Sequence, residues 1–485
     1  MSGSTEETAL IWFRRDLRLH DNPTATAAAT ADEVVPVYCF DPRQFDTATF
    51  GGTHSFRFRK TGPHRVRFLR ESVADLRQSL REHGSELVVR HGRPEEVLPR
   101  IAEAHDVETI YHQRFPTSEE RAVADAVADA VQASGTAIES LWTHTLHHIE
   151  DLPVPPAEIE DTFTPFRKRV EADSHVREPL DAPTLPSFSL TIEPGALPAI
   201  DELGVEPPPT DDRAVLPFSG GESAGLDRLE SYVWEADQLR EYKETRNGLL
   251  GADFSSKLSP WLNAGCLSPR RVHAAVNAYE RQRVANDSTY WLLFELRWRD
   301  FFQFQFYKHG DQFFTRGGIR ARSIDWREDT AAFRRWARGE TGIPFVDAAM
   351  RELNQTGYQS NRARQNAASF LANNLRIDWR WGAAYFETQL VDYDPCSNYG
   401  NWAYIAGTGN DSRDRYFNII KQARRYDGDA AYVTHWLPEL AGLPPEYAHE
   451  PWTMDADDQA RFGVELGDDY PEPMLDLEAS YEKLR

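Results

Sequence analysis

Residues 64–92 have the sequence "HRVRFLRESVADLRQSLREHGSELVVRHG" and contain two hydrophobic patterns in succession. The apolar side chains from Val66 to Leu80 recur at alternating intervals of three and four residues, which predicts one buried face of a helix. The short apolar run "ELVVR" follows and is typical of a buried strand. The stretch therefore predicts a helix that leads into a strand.

The same alternation extends through the first third of the chain. The runs "ALIWFR", "VVPVYCF" and "TIYHQ" predict strands, whereas "EEVLPRIAEA" and "SEERAVADAVADAVQ" predict helices. Repeated strand–helix units predict a parallel sheet that is covered on both faces. No GxGxxG motif follows the first strand, so a nicotinamide site is not indicated. We predict a doubly wound α/β domain over residues 1–146.

The rest of the chain changes character twice. Residues 147–225 contain the proline-rich stretches "LPVPPAEIEDTFTPF" and "GVEPPPTDDRAVLPF", which predict an interdomain linker that runs over the surface. Because the linker is long for a loop, we expect it to pack on both domains. From residue 226 onward strand signals vanish, and "STYWLLFELRWRDFFQFQFYKH" is typical of the helical segments there. We predict an all-α domain over residues 226–485.

Composition restricts the environment of the protein. The 485 residues carry a net charge of -23, and lysine is scarce relative to arginine. An acidic, lysine-poor surface favours a halophilic source, although an ordinary acidic cytosolic protein is the alternative. Taken alone, this charge argues against a nucleic-acid partner.

Targeting and metal-binding signals are missing from the sequence. Cys39, Cys266 and Cys396 lie far apart without a CxxC or Cys/His cluster, so we expect neither a metal site nor a disulfide framework. The start "MSGSTEETAL" lacks the features of a signal peptide, and no apolar run approaches the roughly 18 residues of a membrane span. We expect a cytoplasmic protein without a membrane partner.

Two segments combine polar groups with aromatic residues. In "YKETRNGLLGADFSSKLSPWLNAGCLSP", Ser255, Ser256 and Ser259 lie in a loop before a helix, where hydroxyl and backbone N–H groups suit phosphate. Helix capping explains these serines equally well. In "YWLLFELRWRDFF", Glu295 shares a helical face with aromatic rings, and burial there would raise its pKa. The alternative is an exposed ion pair between Glu295 and Arg299.

Two further segments supply amides and charges. Asn361, Arg364 and Gln365 lie within about one helical turn in "QSNRARQNAASF". In "VDYDPCSNYGNW", Asp392 could pair with Arg364, and Asn398 could offer its amide to a ring nitrogen. Together the four segments supply phosphate binders, an ion pair, carboxamides and stacking rings, which predicts a site for a large planar nucleotide cofactor.

The chain resembles the photolyase/cryptochrome flavoproteins, and specifically the DASH type, along nearly its whole length. The resemblance begins at "WFRRDLRLHDN", ends with "KQARRYDGDAAYVTHWLPEL", and includes "DFSSKLSPWL", "STYWLLFELRWRDFF", "GIPFVDAAMRELNQTGYQSNRARQ" and "LVDYDPCSNYGNWAY" between them. It implies an α/β antenna domain, a linker and a helical domain that holds a folded FAD. A flavin-free structural relative is a further reading that these motifs leave open.

The resemblance also implies roles for individual residues. Positions that match FAD-contacting positions of the family are Tyr242, Ser255, Ser256, Lys257, Leu258, Ser259, Arg299, Asn361, Arg364, Asp392, Asp394 and Asn398. Asn398 is expected near flavin N5, where its amide would tune the electron affinity of the ring. The family's chain of three tryptophans, which passes electrons from the surface to the flavin, is matched by Trp402, Trp379 and Trp326.

The implied activity is that of a deoxyribodipyrimidine photolyase, in which photoexcited reduced FAD gives an electron to a cyclobutane pyrimidine dimer. Glu295 matches the carboxyl that contacts the dimer, and if protonated it would donate a hydrogen bond to developing negative charge. Trp298 and Tyr404 match the rings that flank the lesion, and Gln365 and Arg362 are further candidates for DNA contact. The alternative is a blue-light photoreceptor with little repair activity.

Two positions separate the subclasses of this family. The (6-4) photolyases carry histidine where Asn361 and Gln365 stand, so the resemblance disfavours (6-4) repair. Gln365 and Tyr404 match the DASH type, which is associated with dimers in single-stranded DNA. Bases that are already unstacked cost less to extrude, so weaker clamps suffice there. We expect a monomer that binds dimer-containing DNA, preferably single-stranded.

The antenna chromophore is the least determined cofactor. Relatives of the DASH type usually bind methenyltetrahydrofolate, partly through a glutamate after the fourth strand. In "HQRFPTSEE", Phe115 stands at that position. Methenyltetrahydrofolate is still the default expectation, and a deazaflavin or an empty antenna site are the alternatives.

The negative charge generates a prediction about DNA binding. A groove lined by arginines, with Arg246, Arg299, Arg362 and Arg364 as candidates, would offset the charge locally. In molar salt the Debye length is about 3 Å, so distant acidic residues hardly act, but phosphate contacts weaken as well. We expect dimer-containing oligonucleotides to bind through the aromatic pocket, with an affinity that changes little with salt. A salt titration of the dissociation constant checks this, and a steep slope would contradict it.

Overall fold

The structure is a computed structural model that describes residues 7–49, 57–132, 134–186, 191–411 and 416–482. The first six residues, on which the expectation about a signal peptide partly depends, lie outside this set. Within the described ranges, no helix is both long and apolar enough to cross a membrane.

In the described part of the N-terminal region, five parallel strands form a sheet in the order β5–β2–β1–β6–β7. These strands are β1 (Thr8–Phe13), β2 (Glu33–Phe40), β5 (Val88–His91), β6 (Thr109–Gln113) and β7 (Ala137–Leu141). The sheet is accompanied by an antiparallel hairpin of β3 (Thr47–Thr49) and β4 (Arg57–Arg59), and by helices α1 (Pro23–Ala28), α2 (Pro63–Glu82), α3 (Pro94–Ala104) and α4 (Ser118–Gln132). The predicted doubly wound α/β domain is confirmed.

Strand β1 explains why its sequence reads as a continuous apolar run. Ile11 and Phe13 belong to the core that includes α2, whereas Leu10 and Trp12 belong to the core that includes α3 and α4. Successive side chains of a strand point to opposite faces, and both faces of this sheet are covered. The sequence did not predict β7, because "AIESL" is largely solvent-facing and lacks the apolar signal of the inner strands.

The region 147–225 is not entirely irregular, because it contains helix α5 (Phe163–Asp173). Phe163 and Phe166 of this helix are buried against Phe301 of the C-terminal region. On the other side, the Pro194 carbonyl accepts a hydrogen bond of 2.7 Å from the backbone N–H of Val89 in β5. The region therefore packs on both domains, as expected from its length.

The described C-terminal region is helical, which confirms the second half of the predicted fold. Its helices are α6 (Glu222–Glu230), α7 (Tyr242–Thr245), α8 (Ser259–Ala264), α9 (Pro269–Gln282), α10 (Asp287–His309), α11 (Thr330–Arg338), α12 (Pro344–Thr356), α13 (Asn361–Ser369), α14 (Trp379–Gln389), α15 (Pro395–Ile405), α16 (Ile419–Tyr426), α17 (Ala431–Trp436), α18 (Pro445–His449), α19 (Ala456–Phe462) and α20 (Leu477–Glu482). Helix α10 begins with a capping box at Asn286, whose side chain accepts from the backbone of Ser288 and Thr289.

A buried ion pair joins the two domains. Asp21, which precedes α1, accepts from the Nε of Arg270 in α9 at 2.9 Å and also from its Nη2. The hydroxyl of Ser268 donates to the same carboxylate. The Asp21 side chain is 0% exposed and that of Arg270 is 8% exposed, so solvent cannot replace either partner.

Replacing Asp21 tests this domain contact. The substitution Asp21→Ala leaves the buried Arg270 guanidinium without a countercharge, and we expect the free energy of unfolding to fall by about 3–5 kcal/mol. The measurement is urea denaturation in molar salt. Lys243→Ala is the control, because Lys243 pairs with the exposed Asp287 and its loss should hardly change the midpoint. Equal midpoints for Asp21→Ala and the parent would contradict the prediction.

Candidate functional site

A cavity of about 550 Å³ lies among the C-terminal helices. Its walls come from the loop before α8, one face of α10, the first turns of α13 and the start of α15. These are the four segments in which the sequence predicted functional residues, and tertiary packing brings all of them to one cavity. The volume and the mixture of apolar and polar lining suit a small molecule or cofactor.

The serine-rich loop forms one wall. Ser255, Ser256, Leu258 and Ser259 line the cavity together with Lys257. Lys257 adopts a left-handed backbone with φ of 54°, and its ammonium group turns back onto the loop, where it donates to the Ala252 carbonyl at 2.8 Å. Burial, assisted by the nearby charge of Arg228, lowers the pKa of Lys257 to about 7. A bound anion would favour the charged form.

Asp392 connects this loop to α13. Arg364 donates to its Oδ2 at 2.9 Å, which is the ion pair predicted from the sequence, and the Ser259 hydroxyl donates to the same oxygen at 2.6 Å. The other oxygen, Oδ1, is buried without a hydrogen-bond partner from the protein. A buried carboxylate oxygen without a donor is costly, so the cavity provides an acceptor for a ligand N–H or O–H.

Asp394 has a different environment from Asp392, although both were predicted to contact the cofactor. Its oxygens accept from Arg15 of the N-terminal domain at 2.6 Å, from the Gln303 amide at 3.0 Å and from the Ser397 backbone at 2.8 Å. Burial opposes its charge, but Arg15 and Arg299 hold the pKa of Asp394 well below its usual range. Asp394 is therefore a fixed negative charge that caps α15 and lines the cavity.

Several predicted cofactor contacts also bond within the protein. The Asn398 amide donates one hydrogen bond to the Ala383 carbonyl at 2.9 Å and retains a second N–H. Arg299 donates to the Asn263 side chain at 3.2 Å and to two backbone carbonyls. Tyr242 and Asn361 line the cavity at separate walls, from α7 and α13 respectively.

Glu295 lines the same cavity from α10 and forms an ion pair with Arg246, not with Arg299 as the alternative interpretation had it. The Arg246 guanidinium also lies 4.3 Å from the ring centroid of Trp291. As predicted, burial raises the pKa of Glu295, while Arg246 opposes that shift. The side chain is still 32% exposed, so a substrate that enters the cavity can reach it.

Trp298 is held in place by an aromatic ring that was not among the predicted site residues. Phe163 of α5 stacks on it with centroids 3.7 Å apart and planes inclined by 13°. Tyr404 meets Trp298 edge-on at 6.1 Å, and both rings line the cavity. One face of the indole is thus fixed by protein packing.

Arg362 and Gln365 form a small polar network at the cavity wall. The Arg362 guanidinium donates to the Gln365 side chain at 2.9 Å and to the Asn247 side chain at 2.8 Å. It also lies 4.4 Å from the centroid of the Tyr426 ring. The Nε of Arg362 is buried without a protein partner, which leaves a donor for another ligand.

The three tryptophans are buried in one helical region. Trp402 lines the cavity, and a Cβ at Gly382 would lie 2.2 Å from its ring, so the missing side chain lets the indole pack on α14. Trp379 and Trp326 donate their indole N–H groups to the same carbonyl, that of Arg316, at 3.2 and 3.3 Å. Trp326 is itself buried, and the partly exposed Arg316 side chain donates to the Trp326 carbonyl at 2.7 Å.

Comparison with known proteins identifies the family. The model described as "DNA photolyase" matches residues 9–186, and the model described as "FAD binding domain of DNA photolyase" matches residues 291–485. A cryptochrome DASH from Natronomonas pharaonis is 59% identical over 99% of this chain and 100% of its own length. The chain belongs to the DASH cryptochromes of the photolyase/cryptochrome family.

Solved structures agree with this assignment of the DASH cryptochrome. A Synechocystis cryptochrome has a TM-score of 0.94 at 48% identity, with 98% of each chain covered. A bacterial class III photolyase from Agrobacterium tumefaciens has a TM-score of 0.84 at 30% identity, covering 100% of this chain and 98% of that one. The suspected resemblance is confirmed, and the helical region is an FAD-binding domain.

The cavity residues of this DASH cryptochrome suit FAD. The serine loop offers hydroxyls for phosphates, Asp392 Oδ1 offers an unused acceptor, and Trp402 and Phe302 offer rings. No group of three His, Cys, Asp or Glu side chains that could hold a metal ion occurs in the described portion of the chain.

Sequence analysis missed the partners that hold the selected residues. Phe163 supports Trp298, Arg15 pairs with Asp394, and Arg246 pairs with Glu295. Phe163 and Arg15 are separated from their partners by more than a hundred residues, so no periodicity signals those contacts. Arg246 was selected only as a candidate for the DNA groove.

The Arg364–Asp392 pair generates a prediction about cofactor retention. Asp392→Asn removes the countercharge of Arg364 and changes the acceptor that the cavity presents, so we expect purified protein to lose most of its flavin. The measurement is flavin absorbance relative to protein absorbance after gel filtration. Asp211→Asn is the matched control, because it breaks an Arg–Asp pair of 2.6 Å between Arg213 and Asp211 outside the cavity lining. Full flavin content in Asp392→Asn would contradict the prediction.

Proposed function

We propose that this DASH cryptochrome repairs cyclobutane pyrimidine dimers in DNA by light-driven electron transfer, with a preference for single-stranded substrate. The observation that carries the proposal is the convergence of two residue sets on one cavity. Glu295, Trp298 and Tyr404 line it together with the serine loop and Asp392. A lesion and a flavin would therefore share one enclosure. The resemblance to a named class III photolyase supports the same reading.

The FAD-binding residues divide into three tasks. The serine loop would hold the phosphates, and Arg364 with Asp392 would orient the ring system through charge and the free Oδ1 acceptor. Asn398 would place its remaining amide N–H at the flavin edge. When bound, FAD supplies the photoexcited electron donor for the reaction.

The lesion-binding residues would bind a flipped dimer and stabilise it once it has gained an electron. Stacking on Trp298 contributes about 1–3 kcal/mol per base, and the Phe163 contact keeps the indole from collapsing into the cavity. Burial raises the pKa of Glu295, although Arg246 opposes this shift, and in its protonated form the carboxyl would donate a hydrogen bond to the negatively charged base. A dimer bound between the rings would displace water from the site.

The proposed preference for single-stranded DNA is based on the match of Gln365 and Tyr404 to the DASH type. Gln365 accepts a hydrogen bond from Arg362, so this wall carries a carboxamide network that suits the weaker clamp expected for such a substrate. Bases in single strands need no opening of a duplex. We further propose a monomeric, cytoplasmic protein, as the sequence predicts.

A blue-light receptor is the second candidate function. The buried Trp402, Trp379 and Trp326 offer a route for charge separation that needs no DNA substrate. The curated relatives include cryptochromes DASH at 44–59% identity. Both roles would use one flavin site, because fold alone does not select between them.

The identity of the antenna chromophore is a separate proposal. Phe115 is buried against His144, with centroids 5.4 Å apart, and the Arg14 guanidinium lies 4.8 Å from its ring. Methenyltetrahydrofolate remains our proposal, with a deazaflavin or no chromophore as alternatives. An archaeal photolyase from Sulfolobus tokodaii, at a TM-score of 0.76 and 28% identity, is described with two FAD molecules, so a second flavin is a further alternative here.

Illumination of the reduced protein with dimer-containing oligonucleotides tests the proposed repair. We expect dimer loss in single strands to exceed that in duplexes, in molar salt, because extrusion from a duplex costs additional free energy. Separation of repaired from damaged strands by chromatography measures the reaction. A dark incubation is the control. Light-dependent flavin reduction without dimer loss would instead favour the receptor function.

Variants of Glu295 test its role as a hydrogen-bond donor. Glu295→Ala should lower the repair yield on the order of tenfold, the value of one charge-assisted hydrogen bond, whereas Glu295→Gln keeps a neutral donor and should retain more activity. Only a protonated Glu295 donates, so the parent yield should fall as pH rises through the raised pKa. Arg246 lowers that pKa, so Arg246→Gln should move the fall to higher pH. If the repair yield of Glu295→Gln fell with rising pH in the same way as that of the parent, this role would be contradicted.

A further inference from the structure

Tyr399 and Glu387 form a buried pair beside the tryptophans that the proposed repair reaction does not use. The Tyr399 hydroxyl donates to Glu387 Oε2 at 3.2 Å. The Tyr399 ring lies edge-on to the indole of Trp379, with centroids 6.2 Å apart and planes at 74°. Tyr399 is 7% exposed, Glu387 is 4% exposed and Trp379 is fully buried. A phenol, its proton acceptor and an indole thus stand in one contiguous cluster.

We propose that Tyr399 is a redox-active tyrosine that reduces oxidised Trp379 while its phenolic proton moves to Glu387. The inference rests on the proposed electron route, in which Trp402 gives an electron to the photoexcited flavin and takes one from Trp379. The oxidant for Tyr399 is the indole radical cation that this transfer leaves on Trp379.

The step balances without any further reactant. One electron passes from the phenol to the Trp379 radical cation, which becomes the neutral indole. The O–H bond of Tyr399 breaks, its proton forms a bond to Glu387 Oε2, and a neutral tyrosyl radical and a carboxylic acid remain. A phenol radical cation is a very strong acid, so the electron leaves readily only where a base stands within hydrogen-bond reach. Glu387 is that base.

The surroundings of Glu387 suit a proton acceptor. Burial raises the pKa of Glu387, and the nearby cations Lys60 and Arg65 oppose this shift. Because the net shift is upward, Glu387 is a stronger base than an exposed carboxylate. Lys60 Nζ lies 3.5 Å from Oε1, the oxygen that does not face Tyr399. The pKa of Tyr399 is raised well above its ordinary value by burial and by Glu387. Tyr399 therefore keeps its proton until it is oxidised.

Other buried tyrosines among the described residues differ from this arrangement. Tyr279 donates to Asp237 at 2.6 Å and lies 5.5 Å from the Trp234 ring, but Trp234 is not one of the tryptophans of the proposed electron route. Tyr432 donates to the buried carboxyl of Glu352 at 2.6 Å, but its recorded ring neighbour is Phe345. Tyr385 lies 5.8 Å from the Trp336 ring, but its hydroxyl donates to the Asn354 side chain and the Ala337 carbonyl, which are poor bases. Tyr399 combines a carboxylate acceptor with an indole of the electron route.

A tyrosyl radical at this position would prolong charge separation. Once the proton has moved to Glu387, return of the electron requires the proton to return as well. The expected consequence is a long-lived oxidising equivalent on Tyr399.

Transient absorption of the flavin-loaded protein after a laser pulse tests the inference. We expect the visible band of the tryptophan radical cation to decay into the narrower band of a tyrosyl radical, and the decay to slow in heavy water because a proton moves. Tyr399→Phe keeps the ring and removes the proton, and should prolong the indole radical several-fold and abolish the isotope effect. Glu387→Gln should slow the decay as well. Tyr385→Phe is the matched control and should behave as the parent does.

Direct oxidation of tryptophan by pulse-generated azide radicals separates this inference from the proposed function. If azide oxidation leads to electron transfer from Tyr399 to the indole radical, but the laser flash produces no indole radical, the redox-active tyrosine is supported and the proposed electron route is overturned. If the flash produces indole radicals with the same lifetime in Tyr399→Phe, Tyr385→Phe and the parent, the inference is overturned. The proposed electron route is then unaffected.

Discussion

The buried carboxylate of Asp392 is the constraint on which the cavity depends. One of its oxygens joins Arg364 of α13 to Ser259 at the start of α8, and the other has no partner within the protein. Because breaking a buried ion pair is costly, the loop and the helix are fixed relative to this group. A cofactor that supplied a donor to Oδ1 would complete the network.

Charge is distributed very unevenly in this protein. The chain carries -23 overall, yet the cavity region concentrates guanidinium groups of Arg15, Arg299 and Arg364 around the two aspartates of the turn. These cations hold Asp394 ionised and pair with Asp392, so the interior stays balanced while the exterior stays acidic. DNA would therefore meet locally compensated charge at the cavity, and the screening of the outer surface would depend on salt.

Aromatic packing would serve both the proposed electron transfer and the proposed substrate binding. Gly382 lets Trp402 lie directly on α14, and Phe163 from the interdomain region fixes the plane of Trp298. Each contact restricts the motion of one ring and so fixes its distance from the cavity. Repair and light sensing would both require these distances, which is why a single fold in this family can carry either role.

The sequence by itself determined the two domain types and the segments that form the site, because periodicity, helix-start residues and long ordered motifs are local properties of a chain. It also predicted the Arg364–Asp392 pair, whose members lie in two recognisable motifs. Only the tertiary structure decided that Glu295 pairs with Arg246, that Phe163 supports Trp298, and that Tyr399 meets both Glu387 and Trp379. Those contacts depend on how helices cross and which side chains meet between them, and packing geometry of that kind leaves no periodic signal in the residues themselves.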